Sequence, residues 1–271
     1  MSEFFSLIQN QEFIRNAILA GFISSIVAGI IGTFVVIKRI SLVTGGIAHA
    51  VLAGVGISYF LSFSTLIGAL IFAILAAVII GISSIYFKER EDTIISSIWS
   101  IGMALGIIFM FLTPGYNTDL FSFLFGNILL ISSFEISILF FITLLVIFTV
   151  FILFRQFLAI SFDEEFARTK NLKTNILYIL LLSITALTIV ILMRVVGLIL
   201  VMALLTLPSA ISTQFAKKIS QMIIISIILS FIFINIGLYI SFIFNLPSGA
   251  VIVLVLGVAY IFSIIIRKFL N

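Results

Sequence analysis

The chain is poor in the residues that soluble proteins use for a water-facing surface and for catalysis. It contains no cysteine, one histidine and three prolines, and only 9% of its 271 residues are charged. Without cysteine there can be no disulfide, no thiolate metal site and no thiol nucleophile. The pattern G-x-x-x-x-G-K-S/T is also missing, so the chain has no phosphate loop with which to bind ATP itself.

Hydrophobic residues dominate instead. They make up 63% of the chain, and the mean hydropathy is +1.44, whereas soluble domains are about 45–50% apolar and about 25% charged. The composition therefore predicts an integral membrane protein. About 20 apolar residues suffice for one helical span, and such runs occur at 13–37, 40–61, 65–87, 93–113, 134–154, 175–193, 195–216, 219–244 and 249–266.

These runs predict an all-α fold, because lipid offers no hydrogen-bond partner to unpaired backbone groups. We expect a polytopic bundle of about nine spans (8–9) that forms one transmembrane domain over residues 1–271. The spans leave no room for an appended soluble catalytic domain. The interrupted apolar segment 114–133 predicts a short interfacial or re-entrant helix.

Lysine and arginine predict the orientation. If the loop 155–174 is cytoplasmic, all of the 14 basic residues except Arg15 and Arg194 fall on the cytoplasmic side. This bias follows the positive-inside rule. It places the N-terminus outside and the C-terminus in the cytoplasm. It also explains the net charge of +4 by membrane topology, so we expect no nucleic-acid partner.

His49 is a candidate for the functional centre. It lies about ten residues from the cytoplasmic end of the second span, which is near mid-bilayer at 1.5 Å per residue. Ionisable groups at that depth are costly and usually mark a substrate or ion path. Imidazole suits zinc, copper, iron or nickel. A neutral histidine that is hydrogen-bonded within the helix packing is the structural alternative.

The cytoplasmic loop carries a predicted short amphipathic helix at about 161–172. Ser161 and Glu164 have the spacing of a capping box. Acidic residues at the start and basic residues at the end suit the helix dipole, and Asn171 can adopt the left-handed conformation that ends a helix. Phe162, Phe166 and Ala167 form an apolar face. The helix is either interfacial or a docking site for a soluble partner.

Five segments in order resemble the permease subunits of the ABC importers for zinc, manganese and iron in bacteria and archaea. They are GIIGTFVVIKRISLVTGGIAHAVLAGVGISYF (29–60), DLFSFLFGNIL (119–129), FDEEFARTKN (162–171), VVGLILVMALLTLPSAIS (195–212) and LPSGAVIVLV (246–255). The resemblance extends over essentially the whole chain. It implies a type II importer fold, similar to the permeases for vitamin B12 and iron siderophores.

The resemblance also implies partners and a location. Two copies of the chain would form the path for a divalent metal ion in a bacterial or archaeal plasma membrane. A separate ATPase dimer would use ATP, and an extracytoplasmic metal-binding protein would deliver the ion. The ATPase would dock on the cytoplasmic helix through the residues Phe162, Asp163, Glu164, Glu165, Phe166, Ala167, Arg168 and Asn171.

The metal site implied by the family is reduced here. Relatives of this kind commonly have aspartate four residues before the histidine, and this chain has Gly45. His49 is then the remaining metal residue, and the loss of an oxygen ligand favours zinc slightly over manganese, with iron next. Gly45, Gly46 and Pro208 would shape the path, and Asp119 would guide cations or hold an outer gate, unless it only caps a helix.

Two other functions remain open from the residues alone. A stand-alone secondary transporter usually has acidic or basic groups within its spans for ion coupling, and only His49 lies at such depth here. An intramembrane enzyme needs an acid, base or nucleophile pair. Of these two, the secondary transporter is the stronger alternative to a permease without its own enzymatic activity.

Overall fold

The computed structural model describes residues 12–87, 91–114, 126 and 128–270. Nine helices in these ranges are long and apolar enough to cross a membrane, and no strand occurs there. In chain order the helices are α1 (Glu12–Ile37), α2 (Ser41–Phe60), α3 (Thr65–Ile82), α4 (Glu91–Leu112), α5 (Ser133–Phe162), α6 (Glu164–Thr169), α7 (Thr174–Val196), α8 (Leu198–Phe215), α9 (Ile219–Phe244) and α10 (Ser248–Leu270). The predicted all-α fold with about nine spans is confirmed.

Two segments depart from α-helical geometry. The apolar run of α3 continues through a π-helical turn at Ser83–Phe87, and a 3₁₀ turn forms at Ile128–Leu130. The 3₁₀ turn belongs to the segment in which a re-entrant helix was predicted. The part of that segment at 115–125 and 127 lies outside the described residues.

Helix α5 is longer than its predicted span. We expected the span to end at 154, but the helix continues to Phe162. Arg155 and Gln156 interrupt the apolar run without breaking the helix, because hydropathy marks the end of a membrane-embedded segment and not the end of helical backbone. The connection between α5 and α7 is therefore shortened to 163–173, with α6 inside it.

One compact unit of the chain comprises residues 37–119 and 148–190. Helix α2 is buried along most of its length in this unit and packs against both α3 and α4. Glycines permit the close approach. A Cβ atom on Gly54 would collide with the backbone of Gly68 on α3, and one on Gly56 would collide with the backbone of Gly106 on α4. Small residues allow this packing in lipid, where helices gain little from hydrophobic burial.

The other compact unit comprises residues 1–36, 120–147 and 191–271. Helices α8, α9 and α10 pack against one another there. Hydroxyl and amide groups join them: Ser226 Oγ donates to Ser212 Oγ at 3.0 Å, and Gln214 Nε2 donates to Ser263 Oγ at 3.0 Å. Gly197, with a φ of 82°, is the one residue between α7 and α8.

Candidate functional site

His49 lies within α2, eight residues after the first residue of the helix. At 1.5 Å per residue this is about 12 Å from the helix start. The residue is only 8% exposed. The depth expected from the sequence therefore agrees with a buried position inside a membrane-spanning helix.

Trp99 of α4 covers one face of the His49 imidazole. The two ring centroids are 4.0 Å apart, and the ring planes differ by 19°. Two glycines permit this contact, because a Cβ on Gly102 would lie 2.6 Å from Ala50 Cα and one on Gly46 would lie 2.8 Å from Ile95 Cγ2. The stacking restricts the rotation of the imidazole and leaves the ring edge as the direction for a ligand. No sequence pattern predicted this pair, whose members are 50 positions apart.

The Nδ1 atom of His49 is buried without a hydrogen-bond partner among the described residues. Gly45, one turn earlier on the same helix, is buried and supplies no side chain. Within the described ranges, no three His, Cys, Asp or Glu residues come together as a metal cluster. His49 is thus a single nitrogen donor in a space bordered by a small residue. Weak binding of this kind suits an ion that must leave again.

The short helix α6 is capped by Asp163. The Asp163 side chain accepts a hydrogen bond from Phe166 N at 2.9 Å, which satisfies one of the free amides at the helix start. The capping box predicted at Ser161 was wrong. Ser161 and Phe162 belong to α5, so α6 begins at Glu164. Asn171 follows the helix with a φ of 57°, and the predicted left-handed end is confirmed.

Lys38 connects the turn after α1 to α6. Its Nζ donates to the Ile160 carbonyl at 2.9 Å and to Glu164 Oε2 at 3.1 Å. It also lies 5.5 Å from the centroid of the Tyr178 ring, a cation–π distance. Glu164 Oε1 accepts a second bond from Arg168 Nη2 at 2.8 Å. We call Lys38, Glu164, Arg168 and Tyr178 the Lys38 cluster.

Glu164 is ionised more readily than an isolated glutamate. Burial alone would raise the pKa of its carboxyl, but the hydrogen bonds and charges of Lys38 and Arg168 outweigh burial and lower the pKa below its ordinary value. The stabilised carboxylate holds α6 against the turn at Lys38. This contact spans 126 positions of sequence, and it was not expected, because Lys38 indicated only topology.

Exposed aromatic side chains lie at the end of α5 and on α6. Phe162 is 67% exposed and Phe166 is 56% exposed, whereas Ala167 faces inward and is fully buried. Lys170 Nζ lies 5.5 Å from the Phe166 ring centroid. Glu165 is also exposed. The side chains that were predicted to contact a partner are therefore exposed, except those of Ala167, which is buried, and Glu164, which is half-buried and bonded to Lys38 and Arg168.

The remaining predicted residues are dispersed. Gly46 is buried against Ile95 of α4. Pro208 is buried inside α8, which continues through it. Asp119 lies outside the described residues. Glu135 accepts a hydrogen bond from Arg194 Nη2 at 3.1 Å.

Comparisons with known proteins agree over nearly the whole chain. The model of the ABC 3 transport family matches residues 10–267. A probable metal transport system membrane protein of Chlamydia trachomatis is 41% identical over 261 residues, which are 94% of this chain and 89% of that protein. The manganese transport system membrane protein MntC of Listeria innocua is 37% identical over 248 residues, which are 92% of this chain and 88% of that protein.

A solved structure is similar to the same extent. It is described as PsaBC from Streptococcus pneumoniae in complex with Fab, and the match has a TM-score of 0.87 with 34% identity, covering 97% of this chain and 94% of that chain. The resemblance found in the sequence motifs is confirmed. The chain is a multi-pass membrane permease that belongs to the ABC 3 transport family.

Proposed function

We propose that the chain is the permease subunit of an ATP-driven importer of divalent transition-metal ions in a bacterial or archaeal plasma membrane. Two copies form the path, with the N-termini outside and the C-termini in the cytoplasm. The observation that carries the proposal is His49, a buried nitrogen donor inside a spanning helix whose Nδ1 has no partner in the part of the chain that the structure describes. A buried polar atom without a partner costs about 1–3 kcal/mol, and a passing cation would use it.

Manganese and zinc are the leading substrates. The name of the Listeria relative refers to manganese, which supports manganese first. Gly45 leaves the site without a carboxylate, and nitrogen ligands suit zinc better than manganese. An uptake assay with both metals and iron decides between them.

A separate ATPase supplies the energy. The sequence lacks a phosphate loop. Exposed Phe162 lies at the end of α5, and exposed Phe166 lies on α6, which is held in place by the Lys38 cluster. Aromatic side chains on a rigid helix are suitable anchors for a partner surface. An extracytoplasmic metal-binding protein delivers the ion to the opposite side, where Asp119 would guide its arrival.

The first test compares metal accumulation in cells that express the whole transporter with wild-type chain, His49→Ala or Ser58→Ala. Ser58 is a matched control, because it is a buried polar residue of α2 whose hydroxyl is already bonded to Gly54 O at 2.6 Å. We expect His49→Ala to lose most of the uptake, because an ionisable group at this depth marks the ion path, and Ser58→Ala to retain most of it. Unchanged uptake of all three metals by His49→Ala, with normal ATPase co-purification, would remove His49 from the path.

Metal binding can also be measured without transport. Trp99 is the only tryptophan of the chain and stacks on His49, so its fluorescence reports events at that ring. We expect manganese or zinc to change the emission of wild-type protein and not that of His49→Ala. Uptake that survives inactivation of the partner ATPase would instead indicate a secondary transporter.

A further inference from the structure

The exposed face of α4 changes character halfway along the helix. Its first part consists of Asp92, Thr93, Ser96, Ser97 and Ser100, all of them exposed. The same face then continues with Ile101, Ala104, Ile107, Ile108 and Phe111, which are also exposed. A lipid-facing helix should be apolar along its whole membrane-spanning length, so the first part faces something other than lipid. We call those five residues the hydroxyl face.

The hydroxyl face ends at the depth of His49. Trp99 is eight residues from the start of α4, and His49 is eight residues from the start of α2, so both lie about 12 Å along their helices. The stacked rings place the two helices side by side at this level. Polar groups thus extend from the start of α4 to the level of the histidine and stop there, one residue after Trp99.

The hydroxyl groups are arranged as acceptors. Ser96 Oγ donates to Asp92 O at 2.7 Å, and Ser97 Oγ donates to Thr93 O at 2.8 Å. Each hydrogen is used within the helix, which leaves the oxygen lone pairs free to face outward. Such a hydrogen bond to the helix backbone lowers the free-energy cost of placing a serine in lipid. It does not lower the cost of placing the Asp92 carboxylate there. Lone pairs beside a carboxylate are the donors that suit a hydrated divalent cation.

A shallow open groove of about 610 Å³ lies along this face and is lined by the five residues and Ile101. A divalent cation with six waters occupies roughly 200 Å³, from about 30 Å³ per water. The groove therefore has room beside the hydroxyl face for an ion that keeps its water shell. Weak, replaceable oxygen contacts allow an ion to leave quickly.

We propose that the hydroxyl face of α4 is the wall of a water-filled exit, through which the divalent cation passes from His49 to the cytoplasm. This inference rests on the proposed function. Trp99 lies between the histidine and the exit and covers one face of the imidazole, while the serine and threonine oxygens and Asp92 provide successive weak contacts. The apolar half of the same face has no part in the route.

The absence of native cysteine makes a direct test available. Single variants Ser97→Cys and Ser100→Cys place a nearly isosteric thiol on the proposed wall. Ile108→Cys lies 11 residues beyond Ser97, and Ile107→Cys lies seven beyond Ser100, so each control is on the same helix face at 100° per residue. The whole transporter is labelled in nanodiscs with a positively charged, a neutral and a negatively charged methanethiosulfonate reagent.

We expect the two wall thiols to react at least about tenfold faster than the two controls, because thiolates form in water and not in lipid. After reconstitution into liposomes, the positively charged label should lower metal transport about tenfold more than the neutral label, because a fixed cation repels the ion in a confined path. The negatively charged label should inhibit less than the positively charged one.

Two results would overturn the proposal. Wall thiols as unreactive as the controls would mean that this face contacts lipid or is closed by dry packing against a second copy. Reactive thiols whose labels leave transport unchanged would mean a wet surface off the route. His49→Ala is measured in parallel. If that variant transports normally while positive labels at 97 and 100 still block, the histidine site fails and the exit stands.

Discussion

Two nitrogen-bearing side chains in the unit of residues 37–119 and 148–190 are largely buried. They differ in whether their nitrogen atoms have partners. Lys38 reaches a carbonyl, a carboxylate and an aromatic ring, with 18% of its side chain exposed. His49 is stacked on Trp99, and its Nδ1 has no partner in the described structure. A permanent charge must be compensated where it is buried, whereas an uncharged ring can keep a nitrogen available. This contrast supports an architectural role for Lys38 and the proposed role of His49 in metal transit.

Gly102→Ala is expected to have the largest effect, and it should disturb the surroundings of His49 and not those of Lys38. The added methyl group would lie 2.6 Å from Ala50 Cα and 3.0 Å from His49 O, so α4 must move away from α2. We expect a loss of about 3 kcal/mol of stability, a changed Trp99 emission and impaired uptake, with the Lys38 cluster intact. Gly257→Ala is the control, because its Cβ would meet nothing within 4 Å. Equal thermal stability of the two variants would contradict the close packing.

Lys38→Met tests the architectural side of the comparison. Its loss leaves Glu164 without its buried cation, and the partial exposure of both side chains limits the cost to about 1–3 kcal/mol. We expect a lower melting temperature and weaker ATPase co-purification. His49→Phe is the matched opposite, since a ring is kept and only the donor is lost. It should retain its melting temperature and ATPase, and lose uptake. If Lys38→Met lost only uptake and His49→Phe lost stability and ATPase co-purification, the roles of the two residues would be the reverse of those proposed.

The smallest effect concerns pH. The folded-state pKa of Glu164 is below its ordinary value of 4.5, so its stabilisation is fully present above that value and is lost as the pH falls through the folded pKa. The wild type should exceed Glu164→Gln in stability near pH 7, by less than about 1 kcal/mol for a partly exposed pair. The gap should close below pH 4.5. If the stability difference between the wild type and Glu164→Gln grows on acidification, the ionised Glu164 does not stabilise the fold.

Hydropathy predicted the spans closely, since the span 219–244 coincides with α9. It could not predict that α5 continues to Phe162, because helical hydrogen bonds persist in water beyond the apolar run. That extension also displaced the predicted cap from Ser161 to Asp163. The depth of His49 followed from counting residues along one helix. Its stacking on Trp99 depends on glycine contacts between α2 and α4, and single-sequence periodicity contains no information about such pairs.

Prediction from the sequence was limited in the same way for α6 and its contacts. The sequence predicted the acidic start of α6 and the role of Asn171, because helix ends depend on neighbouring residues. Lys38 and Glu164 are joined across 126 positions, and their pairing depends on how α5 returns the chain to the turn after α1. A positive residue at a membrane boundary suggests topology first, so its hydrogen bonds were found only in the structure.

Gly197 has a practical consequence for mapping the topology of this protein. The glycine alone connects α7 to α8, and a Cβ on Gly126 would collide with the backbone of Val196 and Gly197. Proteases and epitope tags need several accessible extended residues. Reporter insertions at this connection should abolish expression, whereas the connections at 216–218 and 245–247 offer more room. Maps of membrane sidedness in this half of the chain should be built from those two connections.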